Sequence, residues 1–358
     1  MRSLSPALFP FMRIALDVMG GDHGCEVVID GARLALDAIS GISEIQLVGD
    51  RPQVEAILAK RPPPDPRLRI VHAAEFITMQ DPPEAIRRKR DCSLMRAVEL
   101  VRDGKADAIV SSGNTGAFVA ASSYRLRRME GVERSPIASL VPSRTTDFIL
   151  LDAGANHECK PIYLAQFAVM GNVYAREVLG RKRPRVAILS NGTEESKGTE
   201  LTRESARLCQ HLDLNFIGYV EGHDLFADRV DVVVTDGFVG NIILKSVESM
   251  GKALLGMLKD GLTATPTRKF GAWLARGAFK AIKRRMDPDL YGGAPLLGLN
   301  GNVIKAHGSA REKAIMNAIR VATETIQHHV NEVIAREVAE ANRRLAPVMT
   351  TGPVPAAA

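Results

Sequence analysis

Cysteines, aromatic residues and long apolar runs are all scarce in this sequence. The four cysteines lie far apart and form no Cys-x-x-Cys pair, which argues against a zinc site or a disulfide framework and favours the reducing cytosol. Aromatic residues make up 5% of the chain and include a single Trp, so a base-stacking platform for nucleic acid is not expected. No run of about 18 apolar residues occurs, so we expect no membrane-spanning helix.

The sequence also lacks the standard nucleotide, metalloprotease and serine-hydrolase motifs. Neither a Gly-x-x-x-x-Gly-Lys-Ser/Thr loop nor a Gly-x-Gly-x-x-Gly turn with a correctly spaced acidic residue is present. His157-Glu158 has no partner histidine at the required spacing, and the absence of a Gly-x-Ser-x-Gly elbow weakens the case for a serine nucleophile. We therefore expect no cofactor and no bound metal, and a site that binds an oxyanion without a covalent intermediate.

The overall composition is that of an ordinary globular protein. Apolar residues make up 46% and charged residues 25% of the 358 residues, enough for two lobes or a large α/β domain. The formal net charge of +6 is too small to indicate nucleic acid binding without a localised patch. We expect residues 12–345 to form a single α/β catalytic unit with two lobes around a cleft. Residues 1–11 are interpreted as an extension rather than a signal peptide, and residues 346–358 as a disordered tail.

Short apolar runs alternate with amphipathic stretches along the chain. This alternation predicts an α/β fold with a mainly parallel, three-layer sheet, in which ligands bind at the carboxyl ends of the strands. The predicted strands cover residues 13–17, 45–49, 68–72, 107–111, 148–152, 185–190, 215–220, 231–235 and 302–306. The predicted helices include residues 25–39, 93–102 and 200–212.

Small polar residues follow five of the predicted strands. One such loop is usually a tight turn, but five at the same edge of a parallel sheet predict a polar cleft lined by backbone amides. These loops contain residues 17–22, 111–116, 152–156, 190–193 and 236–241.

Residues 290–309 combine glycines at 292, 293, 298 and 301 with the last predicted strand. Glycines in an otherwise apolar stretch suit a backbone that turns tightly or approaches a ligand closely. His307-Gly308-Ser309 follows the strand, and Ser309 is a predicted N-cap for a helix that begins near Arg311. The free N–H groups at such a helix start would bind an anion, whereas the alternative is a glycine-rich structural turn.

Seven stretches of the sequence match one known family. They include IALDVMGGD at residues 14–22, SNGTEESKGTELTR at 190–203 and DVVVTDGFVGNIILK at 231–245. With these stretches the chain resembles the bacterial phosphate acyltransferases of phospholipid synthesis, the acyl-carrier-protein:phosphate acyltransferases. The departures are small: Ser112 stands where the family usually has Ala, and Ser196 and Thr199 flank Lys197 where Gly and Asn are usual. The other matching stretches are residues 105–117, 151–175, 216–226 and 291–309.

The resemblance implies a fold, a reaction and a set of partners. The fold would be that of phosphate acetyltransferase and the isopropylmalate-type dehydrogenases. The reaction would convert long-chain acyl-acyl-carrier protein and orthophosphate into acyl phosphate and free carrier protein, feeding phosphatidic acid synthesis. The family is usually a cytoplasmic homodimer attached loosely to the inner face of the cell membrane. There a membrane glycerol-3-phosphate acyltransferase would take the product, and no nucleic acid partner is expected.

Phosphate attack on a thioester needs a held phosphate dianion, donors for the developing oxyanion and a leaving thiolate. Lys197 is predicted to hold the phosphate or counter the oxyanion; the alternative is a surface lysine paired with Glu194 and Glu195. Asn241 is predicted to donate its amide to the carbonyl oxygen, or else to cap a helix. His307 is predicted to protonate the leaving sulfur, or else to be a hydrogen-bonded core histidine.

The other predicted binding residues lie in the polar loops. Residues 113–116 are the predicted phosphate cradle. Asp17, Asp22 and Asp152 are expected to order their loops by accepting backbone N–H bonds rather than to hold a metal. The predicted phosphate- and substrate-binding residues are Gly20, Gly21, Asp22, Gly113, Asn114, Thr115, Gly116, Asn156, Asp236 and Ser309.

Two basic stretches bear on partners. Residues 87–90, Arg-Arg-Lys-Arg, are predicted to meet an acidic carrier protein or the phosphate, or else to form a solvated turn. Residues 268–285, within a peripheral amphipathic segment at 257–290, are predicted to form one helix with an apolar face that includes the Trp and a basic face. Such a helix favours a membrane surface, with a dimer interface as the alternative. The long helix predicted from Arg311 past Val333 is interpreted as structural or dimeric.

Three other functions stay open. A short-chain acyl-CoA phosphate acyltransferase of the phosphotransacetylase type would need a pocket for adenine and pantetheine. An oxidoreductase on the same fold would need an adenine-ribose site and a divalent metal. A catalytically silent phosphate-sensing or membrane-scaffold protein would bind acyl-carrier protein without turnover.

Overall fold

Two sheets contain the strands of this protein. The computed structural model describes residues 11–61, 63–194 and 196–350, so the predictions for residues 1–10 and 351–358 lie outside the described residues. The strands are β1 (Met12–Asp17), β2 (Ile42–Gly49), β3 (Leu68–His72), β4 (Ala108–Ser111), β5 (Ser139–Pro142), β6 (Asp147–Leu151), β7 (Arg185–Leu189), β8 (Asn215–Val220), β9 (Val232–Val234), β10 (Ala294–Pro295) and β11 (Asn302–Lys305).

The six-stranded sheet has the order β10-β11-β4-β1-β2-β3, and the five-stranded sheet has the order β5-β6-β9-β7-β8. Neighbouring strands are parallel except β10 and β5, which are antiparallel edge strands. The predicted α/β class with mainly parallel strands is therefore confirmed, and all nine predicted strands are present. Their division between two sheets was not predicted, because alternation of strands and helices indicates strand direction but not where a sheet ends.

Helices cover both sheets. They are α1 (Gly24–Ala38), α2 (Arg51–Leu58), α3 (Ser93–Arg102), α4 (Thr115–Leu126), α5 (Pro161–Glu177), α6 (Glu200–Gln210), α7 (Gly237–Thr263), α8 (Pro266–Leu274), α9 (Arg276–Arg285), α10 (Glu312–Gln327) and α11 (Val330–Thr350), with 3-10 turns at Pro83–Arg87 and Pro288–Leu290. Across the part of the chain that the structure describes, no helix has both the length and the apolar character needed to cross a bilayer.

Each sheet has its own apolar core. In the five-stranded half, α5 is buried from Tyr163 to Ala175 and packs against α6 and α11. In the six-stranded half, α1 and α10 pack closely because a Cβ on Gly31 would lie only 2.6 Å from the Cβ of Ile315. Burial of these apolar faces is the main stabilising term of the fold.

The glycine-rich stretch before β11 connects the two sheets. Its backbone pairs with the segment that precedes β5: Ala138 N donates to Pro295 O at 2.9 Å, and Met129 N donates to Gly298 O at 3.0 Å. Gly298 has a φ of +79°, and a Cβ there would lie 2.9 Å from Val132 Cγ1. For this part of residues 290–309 the structural turn is therefore the correct alternative.

Two predicted long helices are interrupted. Residues 268–285 form α8 and α9 rather than one helix, with Ala275 between them. The helix predicted from Arg311 past Val333 stops at Gln327, and α11 restarts at Val330, whose side chain is fully buried. After this break, α11 packs on α5.

The prediction of disorder after Leu345 is wrong for residues 346–350, which continue α11. Leu345 is buried, and Val348 packs against the same apolar core. Packing on the core therefore extends the helix through Pro347, although proline interrupts the helical hydrogen-bond ladder.

Candidate active site

Three loops meet at the carboxyl edge of the six-stranded sheet. They follow β1, β4 and β11, which are neighbours in that sheet. Asp22 N donates to Gly308 O at 2.8 Å, joining the first loop to the third. A Cβ on Gly20 would lie 2.6 Å from Gly113 N, and Gly21 has a φ of +93°. The predicted residues Gly20, Gly21, Asp22 and Gly113 are therefore brought together, and glycine is required for the close approach.

Asn114 is the N-cap of α4. Its Oδ1 accepts from Ala117 N at 3.0 Å, and its Nδ2 donates to the carbonyl oxygens of Met79 and Asp81, each at 3.1 Å. Both polar atoms of the side chain therefore hold backbone in place. The predicted phosphate cradle at residues 113–116 stays a prediction, and its free ligands are backbone N–H groups at the helix start.

The first turn of α4 also fixes the position of a basic loop. A Cβ on Gly116 would lie 2.6 Å from Pro83 Cγ, so the 3-10 turn at Pro83–Arg87 packs directly on the helix start. Thr115 is exposed beside it. Within residues 87–90, Lys89 is tied to a carboxylate of the same loop at 2.9 Å, whereas the three arginines are exposed. The basic stretch therefore lies next to the polar edge of the sheet.

His307 lies at the surface, so the core-histidine alternative is wrong. Its side chain is 55% exposed, and its Nε2 lies 3.7 Å from Oε2 of Glu248 on α7. The predicted helix cap at Ser309 is also wrong: α10 has Arg311 as its N-cap, with no side-chain hydrogen bond. Ser309 instead contacts Nδ1 of His307, with Oγ at 2.8 Å and the backbone N at 3.2 Å. Glu248 and Ser309 thus hold the two ring nitrogens of His307.

The loop after β6 is ordered by Asp152, as predicted. The carboxylate is fully buried and accepts from Ile137 N at 2.9 Å and from Asn156 N at 2.6 Å, among other backbone groups. Burial raises the pKa of Asp152, and the hydrogen bonds from the loop oppose that shift. The side-chain amide of Asn156 donates to Ser135 O and to Asp152 Oδ2, both at 2.9 Å. Its side chain is therefore part of the loop's framework.

Helix α7 begins against the Asp152 loop with no side chain between them. A Cβ on Gly240 would overlap the carbonyl oxygen of Asp152, and one on Gly237 would lie 2.7 Å from Asn156 O. Asp236 is the N-cap and accepts from the backbone N of residues 238 and 239 at 2.9 Å. The carboxylate of Asp236 therefore caps the helix, and the backbone of the first turn of the helix lies directly against the backbone of the loop.

Asn241 lies in the next turn of α7 and is not the cap. A Cβ on Gly154, which has a φ of +136°, would lie 3.4 Å from the Cβ of Asn241, so the asparagine covers this loop. The side chain is half-buried, and no hydrogen bond within the described residues uses its amide. The amide is therefore available to a substrate. Phe238 and Ile242 beside it are 59% and 50% exposed.

Lys197 lies in the loop between β7 and α6. Strand β7 is the parallel neighbour of β9, which leads into α7, so the loops of Lys197 and Asn241 leave the sheet at the same edge. The lysine is exposed, and a Cβ on Gly192 would lie 2.6 Å from its Cγ. Among the described residues its ammonium has no ion pair, Glu194 included, while Glu195 lies outside them. Within the described residues, the loop thus presents the Lys197 ammonium without an ion-pair partner.

Sequence reasoning missed Lys305. It ends β11 with a side chain 8% exposed, and its ammonium donates to Ala306 O. Burial lowers its pKa to about 8, although Asp17 and Asp22 attract the charge. Burial likewise raises the pKa of Asp17, which accepts from Ser111 Oγ at 2.7 Å. A lysine after Val-Ile reads in sequence as a strand end that faces solvent, so only the sheet register reveals this cluster.

Comparison with known proteins identifies the family. The family model described as "Fatty acid synthesis protein" matches residues 12–333. A phosphate acyltransferase of Myxococcus xanthus is 47% identical over 335 residues, covering 92% of this chain and 94% of that one. A phosphate acyltransferase of Syntrophotalea carbinolica is 43% identical over 333 residues, covering 93% and 95%.

Solved structures share the fold at low sequence identity. A phosphotransacetylase from Streptococcus pyogenes superposes with a TM-score of 0.60 at 20% identity, covering 89% of this chain and 95% of that one. A branched-chain phosphotransacylase from Enterococcus faecalis gives 0.53 at 14% identity, covering 88% and 100%. These likenesses confirm the predicted fold. With the close relatives they lead to one conclusion: the chain belongs to the family of the bacterial phosphate acyltransferases.

Proposed function

We propose that this protein transfers a long-chain acyl group from acyl-carrier protein to orthophosphate. The products are acyl phosphate and the free carrier thiol, and the acyl phosphate serves phospholipid synthesis. One observation carries the proposal for the site: Lys197 and Asn241 lie in loops at the same edge of adjacent parallel strands, and among the described residues their donor groups have no partner. Phosphate attack on a thioester requires a cation that holds the phosphate and a donor for the oxyanion, besides a proton for the leaving thiolate.

The reaction needs no covalent enzyme intermediate. A phosphate oxygen attacks the thioester carbonyl carbon, the carbonyl oxygen becomes an oxyanion, and the carbon–sulfur bond then breaks. Lys197 holds the phosphate or balances the growing negative charge, and the amide of Asn241 donates to the oxyanion. One such donor is worth about 3–4 kcal/mol of transition-state stabilisation. The N–H groups at the start of α4 hold the remaining phosphate oxygens.

His307 supplies a proton to the leaving thiolate in this proposal. The carboxylate of Glu248 lies 3.7 Å from Nε2, and Ser309 lies against Nδ1. Because Nδ1 accepts from Ser309 N at 3.2 Å, Nε2 is the ring nitrogen that carries the proton for transfer. The half-exposed position of His307 suits contact with a substrate.

The surroundings of Asn241 favour a long acyl chain over acetyl. Phe238 and Ile242 are four residues apart, so they share one face of α7. Their exposed fractions are 59% and 50%. An acyl chain lying on this face would cover apolar surface worth about 25 cal/mol per Å². A short-chain acyl-CoA substrate would leave these side chains uncovered.

The basic loop at residues 87–90 is the proposed docking surface for the acidic carrier protein. Arg87, Arg88 and Arg90 are exposed, and the loop packs on the first turn of α4. Lys89 stabilises the loop instead, through its ion pair with Asp81 at 2.9 Å. Opposite charge at this rim would steer the carrier and orient its thioester toward the site.

Helices α8 and α9 are the proposed membrane contact. Phe270 and Trp273 stack with ring centroids 5.9 Å apart, and they are 62% and 56% exposed. Lys280, Lys283 and Arg284 lie on the following helix. Apolar and basic side chains on one peripheral segment suit the inner face of a membrane, where the membrane glycerol-3-phosphate acyltransferase would receive the product.

A homodimer is the proposed assembly. The outer half of α7 exposes Met250, Leu254 and Met257, which are 61%, 53% and 71% exposed. A second copy of the chain would cover this row, which continues one face of the helix.

The test is release of free carrier thiol from palmitoyl-acyl-carrier protein, with and without orthophosphate. Wild type, Lys197→Ala and the control Lys313→Ala, an exposed lysine on α10, are compared. Phosphate-dependent release that collapses only in Lys197→Ala supports both the reaction and the role of the lysine. Release that survives in Lys197→Ala keeps the reaction and moves that role to Asn241 or the start of α4. Release from acyl-CoA but not from the carrier would favour the phosphotransacetylase-type alternative, and no release from either would refute the proposal.

A further inference from the structure

Three polar residues lie side by side across the six-stranded sheet, each at the last position of its strand. Strand pairing places Asp17 of β1 opposite Ser111 of β4, and Ser111 opposite Lys305 of β11. Their exposed fractions are 3%, 0% and 8%. Burying a carboxylate, a hydroxyl and an ammonium together costs free energy that apolar side chains would not cost. Such a row therefore calls for a role other than stabilising the fold.

Each member of the row holds backbone at the start of its own loop. Asp17 Oδ1 accepts from Met19 N at 3.3 Å, and Ser111 Oγ accepts from Gly113 N at 3.1 Å while donating to Asp17 Oδ2 at 2.7 Å. The ammonium of Lys305 donates to the carbonyl oxygen of the next residue. These are the three loops that meet at the candidate site.

The row is also coupled by charge. The ammonium of Lys305 attracts the carboxylates of Asp17 and Asp22, and its pKa of about 8 keeps it mainly protonated at neutral pH. Burial raises the pKa of Asp17, and hydrogen bonds from Ser93, Ser111 and Met19 N oppose that shift together with the positive charge of Lys305. Without that charge the Asp17 carboxylate would bind a proton more readily and would accept hydrogen bonds less strongly.

Ser111 is not a nucleophile in this arrangement. Its hydroxyl is fully buried and is engaged both as a donor to Asp17 and as an acceptor from Gly113 N. Lys305, at 8% exposure, likewise lies beneath the loops rather than among them. The row therefore acts through the backbone above it.

We propose that Lys305 is a positioning residue for the phosphate end of the site: its ammonium balances Asp17, and the Asp17–Ser111–Gly113 hydrogen bonds fix the three loops. The inference rests on the proposed function, because the proposed reaction supplies the phosphate that these loops would hold. The geometry that it fixes includes the contact of Gly20 with Gly113. These loops lead directly into α4 and into the His307 turn.

The first test compares Lys305→Met, which keeps the unbranched apolar stem of the side chain and removes its charge, with Lys313→Met as a surface control. In the thiol-release assay we expect kcat/KM for orthophosphate to fall about 100-fold in Lys305→Met, since displacement of reacting groups by about 1 Å costs that much. The control should stay within about twofold of wild type. A folded Lys305→Met with kcat/KM for phosphate close to wild type would overturn the proposal.

A second test separates positioning from a general loss of structure. If Lys305 acts through Ser111, then Ser111→Ala combined with Lys305→Met should lose little more than the worse single variant. If the kcat/KM losses of the two single variants multiplied in the double variant, Lys305 would not act through Ser111. Should Lys305→Met fail to fold, Asp17→Asn/Lys305→Met removes both buried charges; it should fold and still show the loss of kcat/KM, and activity close to wild type would overturn the proposal.

Calorimetric titration with orthophosphate keeps the inference distinct from the proposed function. A wild type that binds phosphate but releases no thiol would refute the acyl transfer and leave the positioning role testable by affinity. We expect the Kd for phosphate to rise tenfold or more in Lys305→Met. An unchanged Kd would overturn the inference whatever the reaction is.

Discussion

Replacing Asn241 by alanine separates a group that acts on the transition state from one that stabilises the helix. Its amide has no hydrogen bond within the described residues, and the cap of α7 is Asp236. The free energy of unfolding should therefore change by less than about 0.5 kcal/mol. Loss of one oxyanion donor costs about 3–4 kcal/mol, so kcat should fall by roughly 100- to 1,000-fold. Asp236→Ala should show the reverse, with a stability loss of about 1 kcal/mol from the lost cap.

The assay is release of carrier thiol at saturating phosphate and acyl-carrier protein, alongside urea unfolding of the same preparations. Ser246→Ala, an exposed change further along α7, is the matched control and should match wild type in both measurements. Asn241→Asp should lose at least as much kcat as Asn241→Ala, because it replaces the donor by an acceptor. A kcat within about threefold of wild type would refute the oxyanion role. A rise in the KM for phosphate with kcat unchanged would make Asn241 a phosphate ligand instead.

Three further predictions concern the core, the buried lysine and the membrane contact. Phe167→Ala should lower the free energy of unfolding by about 3–5 kcal/mol in urea melts, because Phe167 is fully buried within α5; a loss below about 1 kcal/mol would contradict this. The pKa of Lys305 is about 8 when folded and 10.5 ordinarily, so the unfolded chain binds the extra proton between these values. Stability should accordingly rise with pH across that window, by up to about 3 kcal/mol relative to Lys305→Met. The buried cysteine thiols, whose pKa values burial raises, act in the opposite direction in both proteins and cancel in that comparison. If the free energy of unfolding changed with pH equally in wild type and in Lys305→Met, the predicted effect of Lys305 would be refuted. Charge reversal at Lys280 and Lys283 should weaken sedimentation with anionic vesicles about 30-fold from the lost attraction alone, at about 1 kcal/mol per residue, and further through the added repulsion. Unchanged partition would refute the membrane contact.

Local sequence patterns predicted the elements of this fold but not their partners. The apolar runs that precede the polar loops predicted nine strands, because the burial of a strand shows in the apolar character of its own residues. The boundary between the two sheets depends on which strands pair, and the short edge strands β5 and β10 carry too few residues for a pattern. The break between α8 and α9 likewise falls at Ala275, and Gly277 two residues later does not by itself predict it.

The candidate site was predicted by loop composition, and its internal organisation was not. Lys197 and Asn241 came from matching motifs, and the structure places their loops at one edge of the sheet. Asn114 reads in sequence as a free amide, yet the fold brings two carbonyl oxygens from residues 79 and 81 within 3.1 Å of it. Lys305 escaped notice because its neighbours Asp17 and Ser111 are distant in sequence and adjacent only through strand register.

The contact between α7 and the Asp152 loop separates positions of the site that must stay glycine from positions that accept other residues. A Cβ on Gly237 or Gly240 would meet the backbone of the loop, so a larger residue there displaces the helix, whereas Gly154 is restricted by its φ of +136°. Phe238 and Ile242 on the same helix face outward and carry no such restriction. Natural or engineered variation in acyl-chain preference should therefore accumulate at these outward positions, with the reacting groups kept in register by the three glycines.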